Sequence, residues 1–170
     1  MNFQELASER YSCRDISSRS VDPALIETIV ATASKAPTAV NKQPIRIFRM
    51  QSARAKEAVR HACASTFGAN IFLIVGYSES EGWVRSYDNR PFADVDAAIV
   101  ASHIMLQATD LGLATTWIGH FDAPFLKETF SEMRDYELIA LFPIGYASES
   151  AAPSDRHFSR KAPEKILKTL

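Results

Sequence analysis

Residues 10–14 read Arg-Tyr-Ser-Cys-Arg, two arginines four positions apart with a hydroxyl between them. On a helix start or a tight turn, such side chains converge on one small anion. The other end of the chain supplies a second basic cluster, Arg156, His157, Arg160 and Lys161. Two cationic clusters from opposite ends can close on one phosphate. A phosphate monoester carries about −1.5 to −2 charge near neutral pH, and the arginine fork meets it with paired donors. The competing reading is solvated surface charge, because an Arg-x-x-x-Arg spacing is a weak signal by itself.

Two further segments offer polar groups. In Ala36–Pro44, prolines 37 and 44 stiffen the ends, while Thr38, Asn41, Lys42 and Gln43 supply hydroxyl, amide and ammonium groups. A stiff loop presents donors at little entropic cost. Read alone, it is a plain helix-to-strand connection. The run Gly112-Leu113-Ala114-Thr115-Thr116-Trp117-Ile118-Gly119 reads as a strand ending in glycine. Glycine there lets a ligand approach the backbone, and the Ile118 and Gly119 amides can donate to a flat heteroaromatic. The competing reading is a core strand and a turn. No Gly-x-Ser-x-Gly elbow, Walker loop or Gly-x-Gly-x-x-Gly follows a strand, so hydrolase, kinase and Rossmann dehydrogenase readings lack support. No metal site is expected. His61 and Cys63 lie two apart on a predicted helix and face different ways, and His103 lies beside the apolar stripe of another.

Length and charge narrow the class. The 170 residues imply one domain over 1–170, with 46% apolar and 23% charged residues as in globular chains. Nineteen basic against 20 acidic residues leave a net charge of −1, which argues against a nucleic-acid partner. No apolar run approaches the ~20 residues that span a bilayer, and the first ten residues do not read as a secretory signal. Two cysteines, Cys13 and Cys63, make no disulfide framework, so a reducing, cytoplasmic location is expected.

The elements alternate. Asp22-Pro23 opens a helix, as N-cap and first helical residue. Ile45–Met50 reads as a strand, and Ser52 caps a helix running to about Ser65. Asn70–Tyr77 holds a continuous apolar run, the pattern of a strand buried on both faces. A polar, aromatic loop over 78–92 precedes the longest helix, about Asp94–Leu111. Its expected buried stripe is Val95, Ala98, Ile99, Ser102, Met105, Leu106 and Thr109, with Gly112 as left-handed cap. Leu113–Ile118 is the next strand, Asp122 to about Met133 a helix, and Glu137–Ile144 the last core strand, closed by Gly145. Residues 147–159 read as an extended polar arm, with a short terminal helix from about Ala162. About four strands and five helices imply an α/β or α+β sandwich.

Taken in order, Arg-Tyr-Ser-Cys-Arg-Asp, Ala-Pro-Thr-Ala-Val-Asn-Lys-Gln-Pro, Gly-Leu-Ala-Thr-Thr-Trp-Ile-Gly, Pro-Ile-Gly-Tyr-Ala and a closing Arg-Lys resemble the nitroreductase family of FMN-dependent flavoproteins. The likeness runs from about residue 8 to 167. It implies an α+β fold, a mostly antiparallel sheet flanked by helices. It also implies a homodimer with FMN at the subunit interface and an exchanged C-terminal arm (147–170). By resemblance, Arg10, Ser12 and Arg14 bind the FMN phosphate, ribityl chain and pyrimidine edge. Arg160, with Lys161, completes the phosphate grip. Thr38, Val40, Asn41 and Gln43 come from the other subunit and line the isoalloxazine. The Ile118 and Gly119 amides face N5 and O4, and Asn70 is a further candidate for the pyrimidine. Two departures stand out: Thr38 replaces the family's usual serine, and Ile118 stands where larger relatives often carry glutamate. Little room remains for helices that cover a substrate, so an open pocket is expected, with Trp83, Tyr87, Phe92 or His120 as walls.

The implied activity is transfer of hydride from NAD(P)H (NADH or NADPH) through flavin N5 to a small electron-poor acceptor, a nitroaromatic, quinone or similar, in ping-pong fashion. Dehalogenation, enone reduction and flavin breakdown belong to the same range. Other readings are a non-enzymatic FMN carrier or redox-responsive protein, and a flavin-free interaction domain.

Overall fold

The computed structural model describes residues 1–170. A central antiparallel sheet is assembled from strands far apart in sequence. Strands β1 (Ile45–Met50), β2 (Ile71–Tyr77), β5 (Ala114–Thr115) and β6 (Glu137–Gly145) lie in the order β1-β2-β6-β5. The pairs β1–β2 and β2–β6 form its body, with Phe72 opposite Pro143 and Ile74 opposite Leu141. The apolar run of β2 is buried on both sides, as the continuous pattern predicts: Phe72, Leu73, Ile74 and Val75 are fully covered. Strands β3 (Val84–Arg85) and β4 (Arg90–Pro91) form a separate small hairpin inside the 78–92 segment, where the sequence predicts only a loop.

Five α-helices flank the sheet: α1 (Phe3–Glu9), α2 (Pro23–Ala33), α3 (Ala53–Ala62), α4 (Ala93–Asp110) and α5 (Ala123–Thr129). Local chemistry starts most of them. Asp22, Ser52 and Asp122 accept backbone N–H bonds as N-caps, and Asn2 with Glu5 forms a capping box. Gly112, at φ 71°, ends α4 in the left-handed conformation that glycine adopts without strain. Two cores result. One, on the α3 and α5 side, contains Val59, Phe72, Ile74, Leu126 and Leu141. The other packs α2 and α4 on the opposite face, through Ile26, Ile29, Val100, Ile104 and Phe142.

Four expectations need correction. The buried face of α4 is Ala93, Asp96, Ala97, Val100, Ala101, Ile104 and Ala108, while the stripe expected there remains half-buried. The helix is apolar on both sides, so periodicity does not select one. Its alanine-rich side takes the sheet because small side chains allow close approach. The strand 113–118 is broken: only Ala114–Thr115 pairs as a strand, and Ile118 makes an isolated bridge to Leu141. The helix expected over 122–133 stops at Thr129 and resumes as a 3₁₀ turn, Ser131–Met133. The terminal helix is likewise one 3₁₀ turn, Pro163–Lys165. No helix is long and apolar enough to cross a membrane.

Candidate functional site

The N-terminal arginines are placed by what anchors the segment after α1. Arg10 is the C-cap of α1, and its N–H donates to the Leu6 carbonyl. The chain then runs extended. Cys13 N–H donates to the Thr115 carbonyl at 3.0 Å, Ile16 N–H to Phe67 at 2.9 Å and Ser17 N–H to Tyr146 at 2.8 Å. Ile16 bridges Ala147, which brings the start of the C-terminal arm alongside. Gly145 and Gly68 are needed here, since a Cβ on either would collide with Ile16.

A clamp reinforces that junction. Asp15 Oδ2 accepts from the hydroxyls of Ser148 and Ser150, the latter at 2.8 Å, and the Asp15 carbonyl accepts from Ser148 N–H at 3.1 Å. The Ser148 hydroxyl, then that of Ser150, hold the Asp15 carboxyl below the usual carboxylate range. No local pattern announces this clamp, because its members are 133 and 135 positions apart.

The arm then folds back. Ser154 precedes the 3₁₀ turn Asp155–His157, and the His157 ring meets Tyr11 edge-on at 6.4 Å between centroids. A cavity of about 630 Å³ opens between the two ends. Arg10, Tyr11, Ser12 and Arg14 line one side, and Ser154–His157 with Arg160 the other. Four arginines thus face one carboxylate, Asp155, and none of the four is in an ion pair. Arg160 Nη1 donates to the Arg156 and Ser159 carbonyls at 3.0 and 2.9 Å, which folds its guanidinium against its own turn. Burial, and then the neighbouring Cys13 thiol, push the Tyr11 phenol up to about 12, so it remains a neutral donor. Convergent guanidinium groups with two serine hydroxyls suit a dianionic phosphate.

Arg10, Ser12, Arg14 and Arg160 of the expected site therefore come together. Lys161 is exposed beside Arg160 and does not line the cavity. The Ile118 amide is not available: its N–H donates to Leu141 O at 3.0 Å, and its carbonyl accepts from Leu141 N–H at 2.9 Å. The bridge to β6 takes both groups and corrects the expected role of this amide. The Gly119 N–H has no such partner, and the space beside its Cα is open. Asn70 accepts from Arg60 Nη2 at 2.9 Å and lines a smaller cavity with Ser17–Val21. Thr38, Val40, Asn41 and Gln43 form a separate tight turn away from the arginine cavity. Trp83 stacks edge-on with Phe92 at 5.3 Å, while Tyr87, 96% exposed, and His120 project to solvent. Both cysteines are buried and free.

The nitroreductase-family sequence model matches residues 7–71 and 57–146, and the chain belongs to that family. A solved nitroreductase family protein from Clostridium difficile 630 is 34% identical, with all of both chains covered and a TM-score of 0.91. A nitroreductase from Exiguobacterium sibiricum 255-15, solved in complex with FMN, shares the fold at 20% identity and TM-score 0.83, covering 100% of this chain and 98% of that one. Mouse iodotyrosine deiodinase 1 is 22% identical over 99% of this chain and 69% of its own length. The family and the α+β fold expected from the motifs are those found.

Proposed function

We propose that this protein is an FMN-dependent oxidoreductase, working as a homodimer in the cytoplasm. The arginine cavity carries this reading. Four guanidinium groups without ion pairs, gathered from both ends of the chain around a single carboxylate, make a positively charged pocket suited to an anion. The FMN phosphate fits the donor set. Arg10, Arg14, Arg156 and Arg160 hold it, with the Ser12 and Ser154 hydroxyls as further donors. The FMN complex of the Exiguobacterium relative, on the same fold, supports the choice of ligand.

The dimer is supported by apolar surface that one chain leaves uncovered. The second stripe of α4 is half-buried, and Phe158, Ile166 and Leu167 are 72–73% exposed on the arm. In a dimer, residues 38–43 of one copy would line the isoalloxazine held by the other, and the unpartnered Gly119 N–H would be a backbone donor toward it. When bound, FMN would supply the redox chemistry, a two-electron transfer from NAD(P)H to an electron-poor acceptor such as a nitroaromatic or quinone. The chain's own residues bind, orient and neutralise charge. No acid–base side chain is assigned.

A visible absorption spectrum of purified protein, before and after anaerobic NADPH or NADH, tests this. A flavin spectrum that bleaches supports an oxidoreductase. A flavin spectrum unmoved by either nucleotide shifts the reading to a carrier. Absence of flavin after incubation with FMN refutes it. Parallel double-reciprocal plots with NAD(P)H and a quinone are the expected kinetic pattern.

A further inference from the structure

One acid lies on the buried, otherwise apolar face of α4. Asp96 is 2% exposed and sits in the first turn of the helix, where the N-terminal partial charge favours a carboxylate. Its Oδ1 accepts a 2.8 Å hydrogen bond from the backbone N–H of Ala39, 57 positions earlier. Its Oδ2 is buried without a partner, and no cation pairs with the carboxylate. An apolar side chain of the same shape would avoid that desolvation cost. Core stability therefore does not explain an acid at this position. What it does provide is a hold on residues 38–43.

Those residues need one. Val40, Asn41 and Gln43 have φ of 44°, 58° and 51°, in the left-handed region. For a β-branched residue such as Val40 this is a real outlier, and strain of that kind persists only where the surroundings impose it. Val40 is 70% exposed in the single chain, so packing within the chain does not impose it. The other hydrogen bonds of the turn are internal. Asn41 N–H donates to Thr38 O, Lys42 N–H to Ala39 O, and Gln43 N–H to Thr38 Oγ1, at 3.0–3.1 Å, and the Gln43 side-chain amide donates to Asn41 O at 3.3 Å. The Asp96–Ala39 bond is the one hydrogen bond that ties 38–43 to the rest of the protein.

We infer that Asp96 is a positioning residue for the flavin-facing loop. It fixes Ala39, and through it the directions in which the Thr38 hydroxyl and the Asn41 and Gln43 amides are presented to FMN in the partner subunit. The inference rests on the dimeric FMN reading above. It adds a residue that touches no ligand and acts from inside the sheet-facing side of α4. Asp96 carries no signal in the sequence beyond being an acid on an apolar helical stripe.

The test uses two variants that break the bond from opposite sides. Asp96→Leu removes the acceptor and keeps the shape. Ala39→Pro removes only the donor, at the first residue of a 3₁₀ turn, where proline is tolerated; Thr38 before it is already extended at φ −130°, ψ 157°. Full-chain protein stripped of flavin is titrated with FMN by fluorescence quenching, and amide hydrogen exchange of 38–43 is followed without flavin. Each single variant is expected to bind FMN about tenfold more weakly or worse, the scale of one charge-assisted hydrogen bond. The double variant should lose no more than either single one, because both remove the same bond. Exchange at 38–43 should quicken in each, while Asp96→Leu unfolds at no lower temperature than wild type. Wild-type FMN affinity in a single variant, losses that multiply in the double variant, or unchanged exchange would each overturn the role of Asp96. Should Asp96→Leu fail to fold, Ala39→Pro decides by the same two readouts. A wild type that takes up no FMN defeats the underlying reading, and the flavin-facing role with it. Unchanged variants beside a tightly binding wild type defeat only the role of Asp96.

Discussion

Arg10→Ala separates recognition of the phosphate from recognition of the rest of the ligand. Arg10 is half-buried in the cavity wall and in no ion pair, so little in the folded protein depends on its guanidinium. Truncation should change folding stability by no more than about 0.5 kcal/mol, as at ordinary surface positions. Toward a phosphate dianion the loss is larger, about 1.5–3 kcal/mol for one charge-assisted pair, or roughly 10- to 150-fold in dissociation constant. Arg160→Ala should lose less, because Arg160 Nη1 must first leave the Arg156 and Ser159 carbonyls. The assay is fluorescence titration of flavin-free protein with FMN and, in parallel, with riboflavin, which lacks the phosphate. Arg10→Ala should weaken FMN and leave riboflavin where it was. Equal weakening of both ligands, or unchanged FMN affinity, would refute the assignment of this cavity to the phosphate.

Asp15→Ala should loosen FMN without touching a ligand contact, because the side-chain half of the clamp is lost and only the Ser148 N–H bond to the residue 15 carbonyl and the Ile16–Ala147 bridge still tie residues 10–14 to the arm; calorimetric titration measures it. Asp15 has a lowered native pKa, so its contribution to stability is present above the unfolded carboxylate value of about 3.9 and fades as pH falls through the lower native value. Acid unfolding of the Ser148→Ala/Ser150→Ala variant should therefore begin at higher pH than in wild type. Tyr11 works in the opposite direction. The native state keeps its proton up to about 12, so stability holds below about pH 10 and declines between the two. Urea midpoints across that window should fall less steeply in Tyr11→Phe, with Tyr77, also raised, accounting for part of the remainder. Deleting residues 147–170 should abolish dimer and flavin together, read by light scattering and absorbance; loss of neither would remove the exchanged arm from the reading.

Features governed by neighbouring residues were legible in the sequence. Asp22-Pro23, Ser52 and Gly112 mark helix ends by bonds or dihedrals within a few positions. The four apolar residues of β2 mark burial on both faces. That Arg10, Ser12, Arg14 and Arg160 come to one cavity was legible because a nearly neutral chain has no general electrostatic reason to gather cations at both ends. Features set by tertiary partners were not. Which side of α4 meets the sheet depends on how closely alanine lets the strands approach, and both sides read as apolar. The Ile118 amide looked free because its acceptor, Leu141, lies in another strand. Asp15 with Ser148 and Ser150, and Asp96 with Ala39, are long-range pairs of common polar residues, and nothing in their spacing connects them.

The bridge between Ile16 and Ala147 also sets an order of events during synthesis. In a nascent chain Arg10 and Arg14 emerge first, and Arg156 and Arg160 only after nearly everything between them has been translated. At about 5–20 residues per second that interval is roughly 8–30 s. Ligand capture is thereby confined to chains whose sheet has already closed. At a free concentration one hundred times its dissociation constant, a ligand held only by the finished fold adds about 2.7 kcal/mol in its favour. A phosphate held there would act as a fastening put in last, and a chain cut short before the arm would have nothing to fasten.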